Sequence, residues 1–166
     1  MTMVSDRTLG EASGSEVEKR LASAGFILPN VRAQGAYVVA KRHGGLVCTA
    51  GQLSRTPEGS AMTGIAAGPA DLEMARRACQ AAMLRALAAV RTVANLDEVL
   101  EVISLRGFIA ATPEFTQHTQ ALDAASSLLE IAFGTPACTH VRTAVGVASL
   151  PSGGLAELEL VVSVAD

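Results

Sequence analysis

The residues with the most chemical potential lie near the C-terminus, where Arg142 stands in an otherwise small and apolar stretch. His140 precedes it by two residues, and Ala144 and Gly146 follow. Small neighbours leave room for a guanidinium, and a planar fork in a partly desolvated cleft holds a carboxylate through two parallel charge-assisted hydrogen bonds. The same spacing also allows an internal or intersubunit salt bridge, with Glu157 or Glu159 as the partner. Those glutamates fall at i and i+2, on one side of the last strand. They read as a solvated strand face or, more sharply, Glu157 reads as a general base or water-orienting group. Tyr37, the only tyrosine, would direct its hydroxyl either to a partner in the core or to a ligand. His140 reads as readily as a core or interface histidine, and His43 lies in a turn.

No Gly-rich phosphate loop, HExxH, GxSxG or carboxylate-rich calcium loop accompanies these residues. Cys48, Cys79 and Cys138 are far apart and lack CxxC spacing, which predicts free buried thiols and neither a disulfide framework nor a zinc site. No metal or organic cofactor is implied.

Elements that could position these groups follow from periodicity and punctuation. Ser15-x-x-Glu18 has capping-box spacing, and Val17, Leu21 and Ala24 at helical intervals before Gly25 predict a short amphipathic helix. Ala36–Ala40 and Leu46–Ala50 flank His43-Gly44-Gly45 and predict a β-hairpin, with Tyr37 in its first strand. Gly51–Pro69 reads as a loop. Asp71 can cap a long helix whose stripe is Leu72, Ala75, Cys79, Met83, Leu87, Val90 and Ala94. Val99–Ala111 predicts a central strand buried on both faces. Thr112-Pro113-Glu114 starts a second long helix, with Leu122, Ala125, Leu129 and Phe133 inward. Thr139–Ala148 alternates, with the valines on one face and His140, Arg142, Ala144 and Gly146 on the other. Leu155–Val164 is the last strand. Hairpins with two separated long helices define an α+β class, the helices covering one face of a mixed sheet.

The chain has 166 residues, 49% apolar, 17% charged and 3% aromatic, with a mean hydropathy of +0.35. One domain over residues 15–166 is expected, preceded by a mobile polar leader over residues 1–14. An average soluble domain is about 25% charged. So sparse a polar coat predicts that part of the apolar surface meets another subunit. No apolar run is long enough for a membrane span, the richest stretch, Ala78–Val90, being broken by Arg85. Met1–Gly10 lacks the pattern of a signal peptide, so the cytosol is the expected compartment. Net charge is −3, and the 13 Lys and Arg form no basic stripe with stacking aromatics, which argues against a nucleic-acid partner.

Five segments together resemble a known family: Gly35-Ala36-Tyr37, Thr49-Ala50-Gly51-Gln52, His140-Val141-Arg142, Leu150-Pro151 and Ala156-Glu157-Leu158-Glu159. They look like the Rid family, also called YjgF or endoribonuclease L-PSP, from Leu21 to the C-terminus. Its most specific element is the spacing Arg-x(7)-Leu-Pro-x(5)-Glu-x-Glu. The resemblance implies a chorismate-mutase-like fold assembled as a homotrimer with three intersubunit clefts. It implies hydrolysis of reactive enamines and imines, such as 2-aminoacrylate, to 2-keto acids and ammonia. By the same resemblance Arg142 grips the substrate carboxylate, Glu157 stands beside the attacking water, and Tyr37 lines the cleft with Gly51 and His140. Three positions depart from the family pattern. Ala50 stands where deaminating members usually have Ser, Ala144 where they often have Cys, and Asp123 where an Asn is common. The His-x-Arg form and the added N-terminal helix look like a divergent branch. A trimer that binds a small carboxylate or a protein without turnover is the alternative, and a ribonuclease the third.

Overall fold

The computed structural model describes residues 15–165, so the leader expected over residues 1–14 lies outside the described residues. Helix α1 (Glu16–Ser23) begins at the capping box. The Ser15 hydroxyl accepts from the Glu18 N–H at 3.1 Å, and the Glu18 carboxylate accepts from the Ser15 N–H at 3.2 Å. Val17 and Leu21 are buried. The Asp97 carboxylate accepts from the N–H groups of Glu16 (2.9 Å) and Val17 (3.0 Å), docking the helix onto the turn before β4 (Val99–Ala110).

The hairpin is present, but its first strand lies later than its composition suggests. Strand β1 is Ala40–His43 and pairs with β2, Leu46–Thr49. Tyr37 and Val38 precede the ladder and stand exposed, because β2 ends at Thr49 and leaves them no neighbouring strand to pair with. The stretch expected to be a loop contains β3 (Gln52–Leu53), which pairs with β6 (Ala156–Val164). Cys48 lies opposite Val161, yet Gln52 lies opposite Leu158, so the chain carries one extra residue between them. That bulge occupies Ala50-Gly51, where an alternation pattern gives no warning of pairing.

Helix α2 (Leu72–Arg91) buries the expected stripe of Ala75, Cys79, Met83, Leu87 and Val90. Asp71 does not cap it. Its carboxylate accepts from the Ala67 N–H at 2.7 Å, and a 3-10 turn, Pro69–Asp71, leads into the helix. Helix α3 (His118–Phe133) begins later than Pro113. Thr112 is tied back to Ala66, and Phe115 turns into the core, so the chain spends these residues closing the sheet end before the helix can start.

Strand order is β1-β2-β6-β4-β5, where β5 is Val141–Val147. Strands β4 and β5 are parallel and the other pairs antiparallel. Both long helices pack on one face, α2 over β6 and β2, α3 over β4 and β5. Strand β4 is central, as expected, but alternates in burial, so in a single chain its second face is open. Of the thiols, only Cys79 is fully buried, and burial pushes it up to about 12; Cys48 is exposed on the open face and Cys138 is half-buried. Gly107 of β4 lies beneath α3. A Cβ there would stand 2.6 Å from Leu122 Cδ1 and 3.1 Å from Leu158 Cδ2. Gly107→Ala is therefore expected to lower the unfolding free energy by about 1–3 kcal/mol, read from the urea midpoint, because a packed core yields poorly to an added methyl.

Candidate functional site

Strand register decides which candidate residues can meet. Arg142 lies opposite Leu105, which in turn lies opposite Leu160, and both leucines are buried under the helices. Lateral partners share a face, so Arg142 points toward α3. The valines of β5, which alternation alone would assign to a core, therefore face outward: Val141 is 70% exposed. Alanine and glycine on the helix side explain the inversion, since Ala144 and Gly146 let α3 approach closely, with His118 set against Gly146.

Under α3, Arg142 Nη1 donates to Asp123 Oδ1 at 2.8 Å and to Ser126 Oγ at 3.0 Å. Its ion-pair partner within the chain is thus Asp123, and the internal pairing to Glu157 or Glu159 suggested by spacing does not form among the described residues; Glu159 instead faces Arg106 at 3.7 Å. Ser126 Oγ lies 3.1 Å from His140 Nε2, and His140 Nδ1 lies 2.6 Å from the Cys138 carbonyl oxygen. A carbonyl only accepts, so Nδ1 carries the proton toward Cys138. In the neutral ring Nε2 then accepts from the Ser126 hydroxyl, whose oxygen accepts from Arg142. This chain orders four groups and anchors one guanidinium nitrogen. Nε and Nη2 of Arg142 have no protein partner among the described residues, and the side chain keeps 21% of its surface exposed. An open groove of about 530 Å³ lies alongside, lined by Asp123, Ser126, Glu130, Cys138 and His140 among others. Ser126 was missed by the sequence reading. The signal was its i, i+3 spacing from Asp123, which puts both on one helix face.

Glu157 occupies the other side of the sheet. It lies opposite Phe108, which lies opposite Val145, while its neighbours Ala156 and Leu158 are buried under the helices. One Glu157 carboxyl oxygen rests where a Gly51 Cβ would be, so the bulge at Ala50-Gly51 forms the seat of this carboxyl. Gln52 is buried and donates to the Ala50 carbonyl at 3.2 Å, bracing the bulge. Tyr37 is half-exposed outside the ladder, and the Gln34 N–H donates to its hydroxyl at 3.4 Å. The chain thus assembles Arg142, Asp123 and His140 in one place and Glu157, Gly51 and Ala50 in another, on opposite faces.

Burial, followed by repulsion from Glu159, raises the Glu157 carboxyl above its ordinary value. A raised acid costs nothing when protonated in both the folded and unfolded states. The penalty grows as pH rises through the unfolded value and is complete above the folded one. Glu157→Gln is therefore expected to raise Tm relative to wild type at pH 7 but not at pH 4. An equal shift at both pH values would contradict this.

No group of His, Cys, Asp and Glu among the described residues is arranged to hold a metal ion, and no described helix is long and apolar enough to cross a membrane. The mixed sheet with its two-helix layer is an α+β arrangement of the YjgF-like, chorismate-mutase-like type. Residues 28–164 match the family described as endoribonuclease L-PSP, and the chain belongs to that family. It is 31% identical over 153 residues to Protein TCP17 of Trypanosoma cruzi, covering 91% of this chain and 95% of that one. The crystal structure of Atu1372 from Agrobacterium tumefaciens, a protein of unknown function, aligns with a TM-score of 0.81 at 32% identity, over 90% of this chain and 94% of the other. That of E. coli TdcF with bound serine aligns with a TM-score of 0.61 at 18% identity, over 83% and 95%, a likeness of fold.

Proposed function

We propose that this protein hydrolyses the enamine and imine products of amino-acid metabolism to 2-keto acids and ammonia, in clefts formed between copies of the chain in a homotrimer. The observation that carries this reading is the half-anchored Arg142. Asp123 and Ser126 fix one nitrogen and leave the Nε–Nη2 edge for a substrate carboxylate. Small carboxylates are consistent with the fold's occupancy by serine in TdcF. Arg142 and Glu157 face away from each other within one chain, so Glu157 would come from a neighbour. The uncovered sheet face, with Leu46, Val141 and Val145 exposed, supports such an assembly.

In the proposed step an enamine first tautomerises to the imine, whose carboxylate sits on Arg142. Glu157 takes a proton from water as the oxygen attacks the imine carbon, a C–O bond forming while the C=N pair moves to nitrogen. Glu157 returns that proton to the nitrogen, completing the carbinolamine; it then takes the hydroxyl proton as the C=O bond forms and the C–N bond breaks, and the nitrogen leaves as ammonia with this second proton. A carboxyl raised by burial is suited to giving that proton back.

Binding without turnover is the second reading, favoured by Ala50 and Ala144, which put no hydroxyl at position 50 and no thiol at position 144, and by Asp123 already neutralising Arg142. The test is to generate imines in situ from several amino acids and follow semicarbazone loss or keto-acid release. Accelerated hydrolysis that scales with protein supports the enzyme. Thermal protection by keto acids with no acceleration for any imine supports the binder.

A further inference from the structure

Outside both seats, the flank of α2 carries Arg85. It is only 9% exposed, its Nε has no hydrogen-bond partner, and it makes no ion pair among the described residues. It lines a cavity of about 480 Å³ between α2, the segment after α1 and the loop after β3. Phe26, Ile27, Pro29 and Leu84 supply apolar walls, and Arg55 is the second cation. Arg55 Nη1 is tied to the Gly59 carbonyl at 2.7 Å, and Arg55 makes no ion pair among the described residues. Glu58 of the same loop is exposed and pairs with neither arginine. Burial, and then the charge of Arg55, disfavours the protonated Arg85 guanidinium. Two cations turned into one apolar-walled cavity without an acid carry an electrostatic cost that a bound anion would remove.

We propose that this cavity is a second ligand site, separate from Arg142, for a small carboxylate with an apolar, aromatic or branched body. Arg85 and Arg55 hold the carboxylate, and the body lies against Phe26, Ile27 and Leu84. The volume is in the range of small-molecule pockets.

The experiment uses 4-phenylbutyrate and its neutral counterpart 4-phenylbutan-1-ol as probes, in calorimetric titrations and thermal melts of the full chain. The carboxylate is expected to bind once per chain and raise Tm in wild type and in Arg142→Ala alike. The alcohol is expected to bind about tenfold more weakly, as is the carboxylate to Arg85→Met and to Arg55→Met, since each change removes a charge-assisted contact. The free Arg85→Met protein should melt no lower than wild type, because methionine keeps the apolar stem and discards an uncompensated charge. Four results would each overturn the proposal: no binding of the carboxylate at millimolar concentration, loss of binding in Arg142→Ala, equal binding by the alcohol, or undiminished binding by both methionine variants. A lower Tm of free Arg85→Met would overturn it too, by showing that the charge is compensated within the chain.

Discussion

Arg142→Lys is expected to lower kcat/KM for imine hydrolysis by roughly 10²-fold or more while leaving the secondary structure unchanged. The reason is geometric. Arg142 spends one nitrogen on Asp123 and Ser126 and still offers a second edge, whereas a lysine ammonium that pairs with Asp123 has no fixed fork left for the substrate. The fold should tolerate the change because the pair is only partly buried, with half of Asp123's side chain exposed, and such ion pairs contribute little to stability. Steady-state kinetics beside a thermal melt separate the outcomes. Lost activity with an unchanged melt fits a carboxylate clamp. A large fall in Tm with undiminished specific activity of the folded fraction would make Arg142 a structural ion pair.

Glu157→Gln is expected to lower kcat by about 10²-fold with little change in the affinity for a keto-acid product, the usual scale for removing a positioned acid or base. The amide keeps the size of the group, so its seat on the Ala50-Gly51 bulge is preserved and packing is not the variable. Gly51→Ala approaches the same residue from the other side. The added methyl would occupy the position of a Glu157 carboxyl oxygen, so it should lower kcat by displacing a carboxyl that remains chemically intact. Wild-type turnover in Glu157→Gln would remove this residue from the reaction and return it to the open strand face.

How much of this was legible before the fold was known differs from residue to residue. The capping box at Ser15 and the buried stripe of α2 were readable because local hydrogen bonding and a single apolar face determine them. Strand β3 was not, since two residues carry no periodicity and their pairing depends on a bulge in the neighbouring chain segment. The start of α3 was misread because Pro113 suits a first helical position, yet Phe115 must first reach the core. In β5 the alternation was right and the assignment of faces was not evident. Valines look like core, but alanine and glycine are what a close-packed helix requires, and the valines are left uncovered in a single chain. Arg142 stood out by its small neighbours, whereas its anchors come from a helix distant in sequence: Asp123 was singled out through the family resemblance, and Ser126 was signalled only by its i, i+3 spacing from Asp123. The family resemblance named Arg142 and Glu157 together; strand register placed them on opposite faces.

That separation makes one measurement decisive. Arg142→Ala and Glu157→Gln chains carrying different tags are co-expressed, and assemblies holding both tags are purified and assayed for imine hydrolysis. If each cleft takes Arg142 from one copy and Glu157 from the next, a mixed trimer restores one cleft in three, and about one third of wild-type activity returns although each parent is nearly inactive. A mixed assembly as inactive as its parents would contradict a site shared between copies of the chain.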